Sequence, residues 1–115
     1  MNINVKRVKI VVTVPTENAK EVKDALCNAG AGAIGNYSYC TNTTKSVGTF
    51  MPNEKANPYI GEANKLEVVN EDRIEVICEI EKAKYVVSEL RKAHPYEEPA
   101  IDIIPLINEE DLWEY

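Results

Sequence analysis

Residues 94–99, His-Pro-Tyr-Glu-Glu-Pro, set an imidazole, a phenol and two carboxylates between two prolines. The segment is stiff, because each proline fixes its own φ and restricts the residue before it. His94 titrates near neutrality and Glu97 and Glu98 supply oxygen ligands, so the cluster suits metal ligation or proton transfer. The plainer account, which the sequence favours, puts His94 at a helix C-terminus as a donor to free carbonyls, with the prolines fixing the turn. Cys40 could serve as a nucleophile with His94 as its base, since distance along the chain is no obstacle, but packing or a ligand contact is its simpler role. Metal chemistry is short of ligands: there is one His, and Cys27, Cys40 and Cys78 show none of the zinc spacings. A metal centre would therefore take the form of a site shared between subunits, drawn from Cys40, His94, Glu97 and Glu98. The glycines of residues 29–35 follow a helix rather than a strand, so they read as a helix stop and not as a phosphate cradle. Tyr37, Tyr39, Phe50 and Tyr59 form a ligand-facing wall or cover sheet and subunit surface.

The elements that position these groups follow from hydrophobic periodicity. Residues 6–14 are rich in β-branched side chains, with Val8, Ile10, Val12 and Val14 on one face, as in a largely buried strand. Val22, Ala25, Leu26 and Ala29 recur at helical spacing, and Gly30 and Gly32 stop that helix. Residues 36–51 read as two short antiparallel strands. Residues 52–64 hold two prolines, three asparagines and a glycine, which predicts an ordered irregular loop. Residues 73–80 alternate, with Ile74, Val76, Cys78 and Ile80 inward. A second helix carries Ala83, Val86, Val87 and Leu90 and ends before Pro95; residues 100–107 form a last strand, followed by an acidic tail to Tyr115. The expected fold is α+β, a ferredoxin-like βαββαβ arrangement with two helices on one face of a four-stranded antiparallel sheet.

Composition narrows the partners. The 115 residues carry 13 Lys+Arg against 19 Asp+Glu, a net charge of −6, which argues against nucleic acid and anionic lipid. With 44% apolar residues the chain is long enough for a core without staples, so residues 1–115 are expected to form a single domain. No run is long enough for a membrane span, residues 1–12 lack the features of a cleaved leader, and three unpaired cysteines suit a reducing compartment; a cytoplasmic location is expected.

The strings GAIGNYSYC, GTFMP, NPYIG and AHPYEEPAIDIIPL, in this order across residues 8–107, resemble the insertion domain of the YqfO branch of the Nif-three-like family. HPYEEP is also similar to the His-Pro-Tyr segment of the CutA divalent-cation-tolerance proteins, which share a fold with the PII signalling proteins. The resemblance implies the ferredoxin-like fold and a homotrimer of packed sheets. It also implies that the dimetal centre of the larger Nif-three-like proteins belongs to a flanking domain, so a cyclohydrolase activity does not carry over. The segment Leu112-Trp113 resembles the CutA tail, which implies a chain that stands alone.

Among the family-like positions, Asn36, Tyr37, Cys40, Thr49 and Phe50 are expected to bind ligand. Asn57, His94, Tyr96, Glu97 and Glu98 complete that set. The expected role is a trimeric binding or regulatory module holding a divalent cation or small ligand at subunit interfaces, with residues 52–64 as its loop. The negative charge favours a cation over a nucleotide. The alternatives are a small enzyme using Cys40, His94 and Glu97 at an interface, and a purely structural oligomerisation domain; no catalytic residue is assigned.

Overall fold

The computed structural model describes residues 4–114; residues 1–3 and Tyr115, the last residue of the expected tail, lie outside the described part. The chain runs through β1 (Arg7–Pro15), a 3-10 turn (Thr16–Asn18), α1 (Ala19–Asn28), β2 (Thr41–Phe50), β3 (Glu67–Glu79), α2 (Ile80–Ala93), β4 (Ile101–Pro105) and a 3-10 segment (Glu109–Glu114). All pairings are antiparallel and the sheet order is β2-β3-β1-β4, the expected ferredoxin-like topology.

The core lies between the sheet and the two helices. Val8, Ile10, Val12 and Val14 of β1 and Ile74, Val76 and Cys78 of β3 are buried there, as their alternation predicts. Val22 and Leu26 of α1 meet them together with Val86 and Leu90 of α2, all four fully buried. Ile80, expected as the last inward residue of the strand, instead opens α2 and is 43% exposed. Its N–H still continues the β1–β3 register, donating to the Lys6 carbonyl at 2.8 Å, while its side chain turns with the helix.

Gly32, at φ 76°, donates its N–H to the Ile77 carbonyl at 2.9 Å and accepts from the Cys40 N–H at 2.9 Å. A side chain there would press on the Cys40 backbone at 3.1 Å, so only glycine lets the chain turn this close to β3. The expected pair of short strands over residues 36–51 is a single ten-residue strand, preceded by a turn closed by an Ile34–Tyr37 bridge. The physical reason is the length of β3: its 13 residues accept all of β2, from Thr41 opposite Val76 to Phe50 opposite Glu67. The final strand is also shorter than residues 100–107, spanning only Ile101–Pro105.

Residues 52–64 form the expected irregular loop. The Asn64 N–H closes it onto the Pro52 carbonyl at 2.7 Å, and Asn64 Nδ2 donates to Glu54 Oε1 at 3.0 Å. Lys55 N–H donates to Asn53 Oδ1 at 2.9 Å, an Asx turn that uses side chains in place of ladder partners. No helix among the described residues is long and apolar enough to cross a membrane.

Candidate functional site: a cleft over Glu71

The helix-free face of the sheet carries Thr13 of β1, Glu71 of β3 and Gly48 and Phe50 of β2, because directly paired residues share a face. Gly48 has no side chain, and the Glu71 carboxylate occupies the space a Cβ would fill. This lets Glu71 fold inward to 6% exposure. Tyr96 then donates its hydroxyl to Glu71 Oε2 at 3.0 Å. Burial, and next this hydrogen bond, push the Tyr96 phenol well above its ordinary range, so it remains a donor.

His94 holds Tyr96 in place. The β4 ladder stops at Val12–Ile101, and beyond it the Thr13 carbonyl accepts the His94 Nε2–H at 2.8 Å. Nδ1 accepts the Tyr96 backbone N–H at 3.1 Å, which sets the neutral tautomer. Burial lowers the pKa of this imidazole, only partly opposed by the Thr13 contact. Both ring nitrogens are engaged, so His94 has no lone pair free for a metal or for a thiol's proton. The helix-terminus account is nearer: His94 caps α2, its backbone N–H donating to the Leu90 carbonyl, but its ring donates to β1 rather than to helix carbonyls.

A pH dependence of stability follows. The folded pKa of His94 is lowered, so the unfolded chain binds a proton that the folded chain resists. Stability is then full above the unfolded imidazole value of about 6.5 and falls as pH drops through the window below it. The urea midpoint should be lower at about pH 5.5 than at about pH 7.5, above most carboxylate titrations, and His94→Gln should flatten the difference. Gly48→Ala is expected to expel Glu71 from its place and lose the Tyr96 hydrogen bond, lowering stability by about 1.5–3 kcal/mol in urea denaturation.

Aromatic rings close the site. Tyr96 meets Phe50 edge-on at 5.7 Å between centroids, and Tyr59 lies at 6.5 Å. The loop is tied to residues 94–99 where the Asn57 N–H donates to Glu97 Oε1 at 3.1 Å. Loop, turn and sheet together enclose a cleft of about 400 Å³, within the range of small-molecule sites. Met51, Pro52, Pro58, Tyr59 and Ile60 give it apolar walls, and Glu71, Glu97 and Glu98 give it carboxylates.

Of the ligand positions expected from sequence, Thr49, Phe50, Tyr96, Glu97 and Glu98 line this cleft, while Asn57 and His94 brace it. Asn36, Tyr37 and Cys40 are not brought there. Cys40 lines a separate hollow of about 270 Å³ with Lys9, Glu75 and Ile77, and Tyr37 is 76% exposed. Thr41, next to Cys40, pairs with Val76, whereas Thr13, against His94, pairs with Arg73. Three residues of strand, about 10 Å, thus part the thiol from the imidazole, in addition to the width of the sheet. The metal candidates Cys40, His94, Glu97 and Glu98 do not converge within one chain, and no group of three His, Cys, Asp or Glu does so among the described residues. Glu71 and Gly48 line the cleft without having been expected there, because their signal is the long-range register, invisible along the chain; of the four expected wall aromatics, Phe50 and Tyr59 line it and Tyr37 and Tyr39 do not.

Comparison with known proteins shows the chain's relatives. No family model matches the chain. It is 52% identical over 101 residues to the "GTP cyclohydrolase 1 type 2 homolog" of Halalkalibacterium halodurans, a match covering 88% of this chain and 27% of that protein. Its Bacillus subtilis counterpart is 45% identical over 98 residues, covering 85% and 26%. The chain thus spans about a quarter of the length of the curated relatives it matches. A Bacillus cereus protein related to NIF3 superposes with a TM-score of 0.76 at 42% identity, over 93% of this chain and 28% of that one. CutA from Archaeoglobus fulgidus superposes at 0.64 and 24% identity over 92% and 91%, a likeness of fold. The chain is a relative of the insertion region of the NIF3-related GTP cyclohydrolase 1 type 2 homologs, with the fold of the CutA proteins.

Proposed function

We propose that residues 1–115 form a single binding or regulatory module that assembles as a homotrimer and takes a small ligand in the cleft over Glu71. The observation that carries this reading is the convergence of loop, turn and sheet on a largely apolar cleft lined by a buried carboxylate. Binding rather than catalysis suits the groups present: the imidazole of His94 is fully used, and the Tyr96 phenol is held protonated.

Shape supports assembly. The radius of gyration is 16.2 Å, against about 13 Å for a compact chain of this length. The excess comes largely from an arm in which β2 and β3 run on past the end of β1, beyond the Pro15–Glu71 pair. One face of that arm bears the cleft. The other bears Val47 and Val68, 64% and 63% exposed, apolar surface that a second copy would cover. Among the described residues, no further strand pairs with the outer edges of β2 and β4, which are open to further copies. A subunit packed on the arm would place the cleft beside an interface.

The activity named for the longer relatives is not proposed for this chain, which spans a quarter of their length. Native mass spectrometry of protein purified without chelator tests the reading. The expected species is three chains retaining a small molecule; an empty monomer at micromolar concentration would overturn it.

A further inference from the structure

Glu71 and Asp72 are neighbours in sequence, and each is 6% exposed, yet they are satisfied very differently. Asp72 Oδ1 receives the Lys45 ammonium at 2.8 Å and the Thr16 hydroxyl at 2.9 Å, so its charge is matched. Glu71 receives one neutral donor, the Tyr96 hydroxyl, on Oε2. Among the described residues no Lys or Arg pairs with Glu71, and Oε1 accepts no hydrogen bond. Nor is Oε1 sealed inside protein: the buried unpaired side-chain atoms are Asn18 Oδ1 and Asn108 Oδ1, and Glu71 lines the cleft. Oε1 lies against Gly48, and both residues line the cleft, so this nine-tenths buried carboxylate keeps an unused acceptor at the cavity wall, which is expensive unless a donor reaches it.

Resting on the binding reading above, we infer that the cleft selects an organic cation bearing N–H donors, a primary ammonium or guanidinium on an apolar body, with the cation on Glu71 Oε1. The surroundings fit this class. The rings of Phe50, Tyr59 and Tyr96 supply faces and edges for the apolar body and for cation–π attraction. Glu97 and Glu98 at the margin add negative potential, and the chain as a whole carries −6. A divalent metal ion fits less well, because it needs several converging oxygen ligands and the walls here are largely apolar.

Isothermal titration of the full chain with 2-phenylethylammonium chloride, beside the uncharged 2-phenylethanol, tests the inference. The two probes share ring and arm, so the difference reports the charge. The ammonium is expected to bind at least about tenfold more tightly, as a charge-assisted hydrogen bond requires. Glu71→Gln should erase that preference while leaving the alcohol's affinity within about twofold, and Glu21→Gln, at an exposed carboxylate of α1 outside the cleft, should change the ammonium's affinity by less than about twofold. The wild-type comparison stands even if Glu71→Gln does not fold. Equal affinities, a preference that survives Glu71→Gln, or displacement of the ammonium by equimolar magnesium chloride would overturn the inference while leaving the cleft as a binding site. Failure of both probes to bind would overturn the inference and count against the cleft itself.

Discussion

Replacing His94 with alanine is expected to lower stability by about 2–4 kcal/mol and to dismantle the cleft together with the fold's edge. The residue is 6% exposed and ties three segments: its ring holds β1 through the Thr13 carbonyl and the turn through the Tyr96 amide, and its backbone N–H holds the end of α2 through the Leu90 carbonyl. Alanine keeps only the last of these. The Thr13 carbonyl then lies beyond the reach of β4 with no partner, and the Tyr96 ring, 5.1 Å from the lost imidazole, is free to rotate away from Glu71. Urea denaturation should show the loss, and binding of any cleft ligand should fall with it. A change below about 0.5 kcal/mol would mean that the His94 contacts are not formed in solution.

Leu90→Ala should cost as much or more, about 2–5 kcal/mol, and yet leave binding intact wherever the variant remains folded. Leu90 is fully buried between α2 and the sheet, on the face opposite the cleft, and its removal leaves a cavity among Val86, Leu26 and the β1 valines. The pair of variants thus separates two links of the account. Stability lost through Leu90 belongs to the frame, whereas stability lost through His94 belongs to the site. If Leu90→Ala abolished binding at temperatures where circular dichroism shows it native, the cleft would be coupled to the helix layer more tightly than the geometry indicates.

The frame was open to reading along the chain because each element carries its own period. The alternation of Val8 to Val14 and of Ile74 to Cys78, and the helical stripes ending at Leu26 and Leu90, need no knowledge of distant partners. The turn of residues 94–99 was legible for the same reason, since the prolines act locally. Glu71 was not. In sequence it sits in Asn-Glu-Asp-Arg, where charge normally means solvent, and only the pairing of β2 with β3 shows that Gly48 leaves room for it. Register is a tertiary property, set by the whole length of both strands.

The separation of Asn36, Tyr37 and Cys40 from the cleft has a related cause. In sequence they stand near Thr49 and Phe50, and two short strands would have folded them back together. One continuous strand carries the chain about 34 Å in ten residues and delivers Phe50 to the far end of the sheet.

Amide chemical-shift mapping of the isotopically labelled chain with 2-phenylethylammonium and 2-phenylethanol tests most directly that this cleft is where the protein binds. The account predicts shifts concentrated at Thr49, Phe50, Asn57, Tyr96, Glu97 and Glu98. Shifts gathered instead around Tyr37, Cys40 and Ile77, with residues 49–60 and 94–100 unmoved, would contradict it.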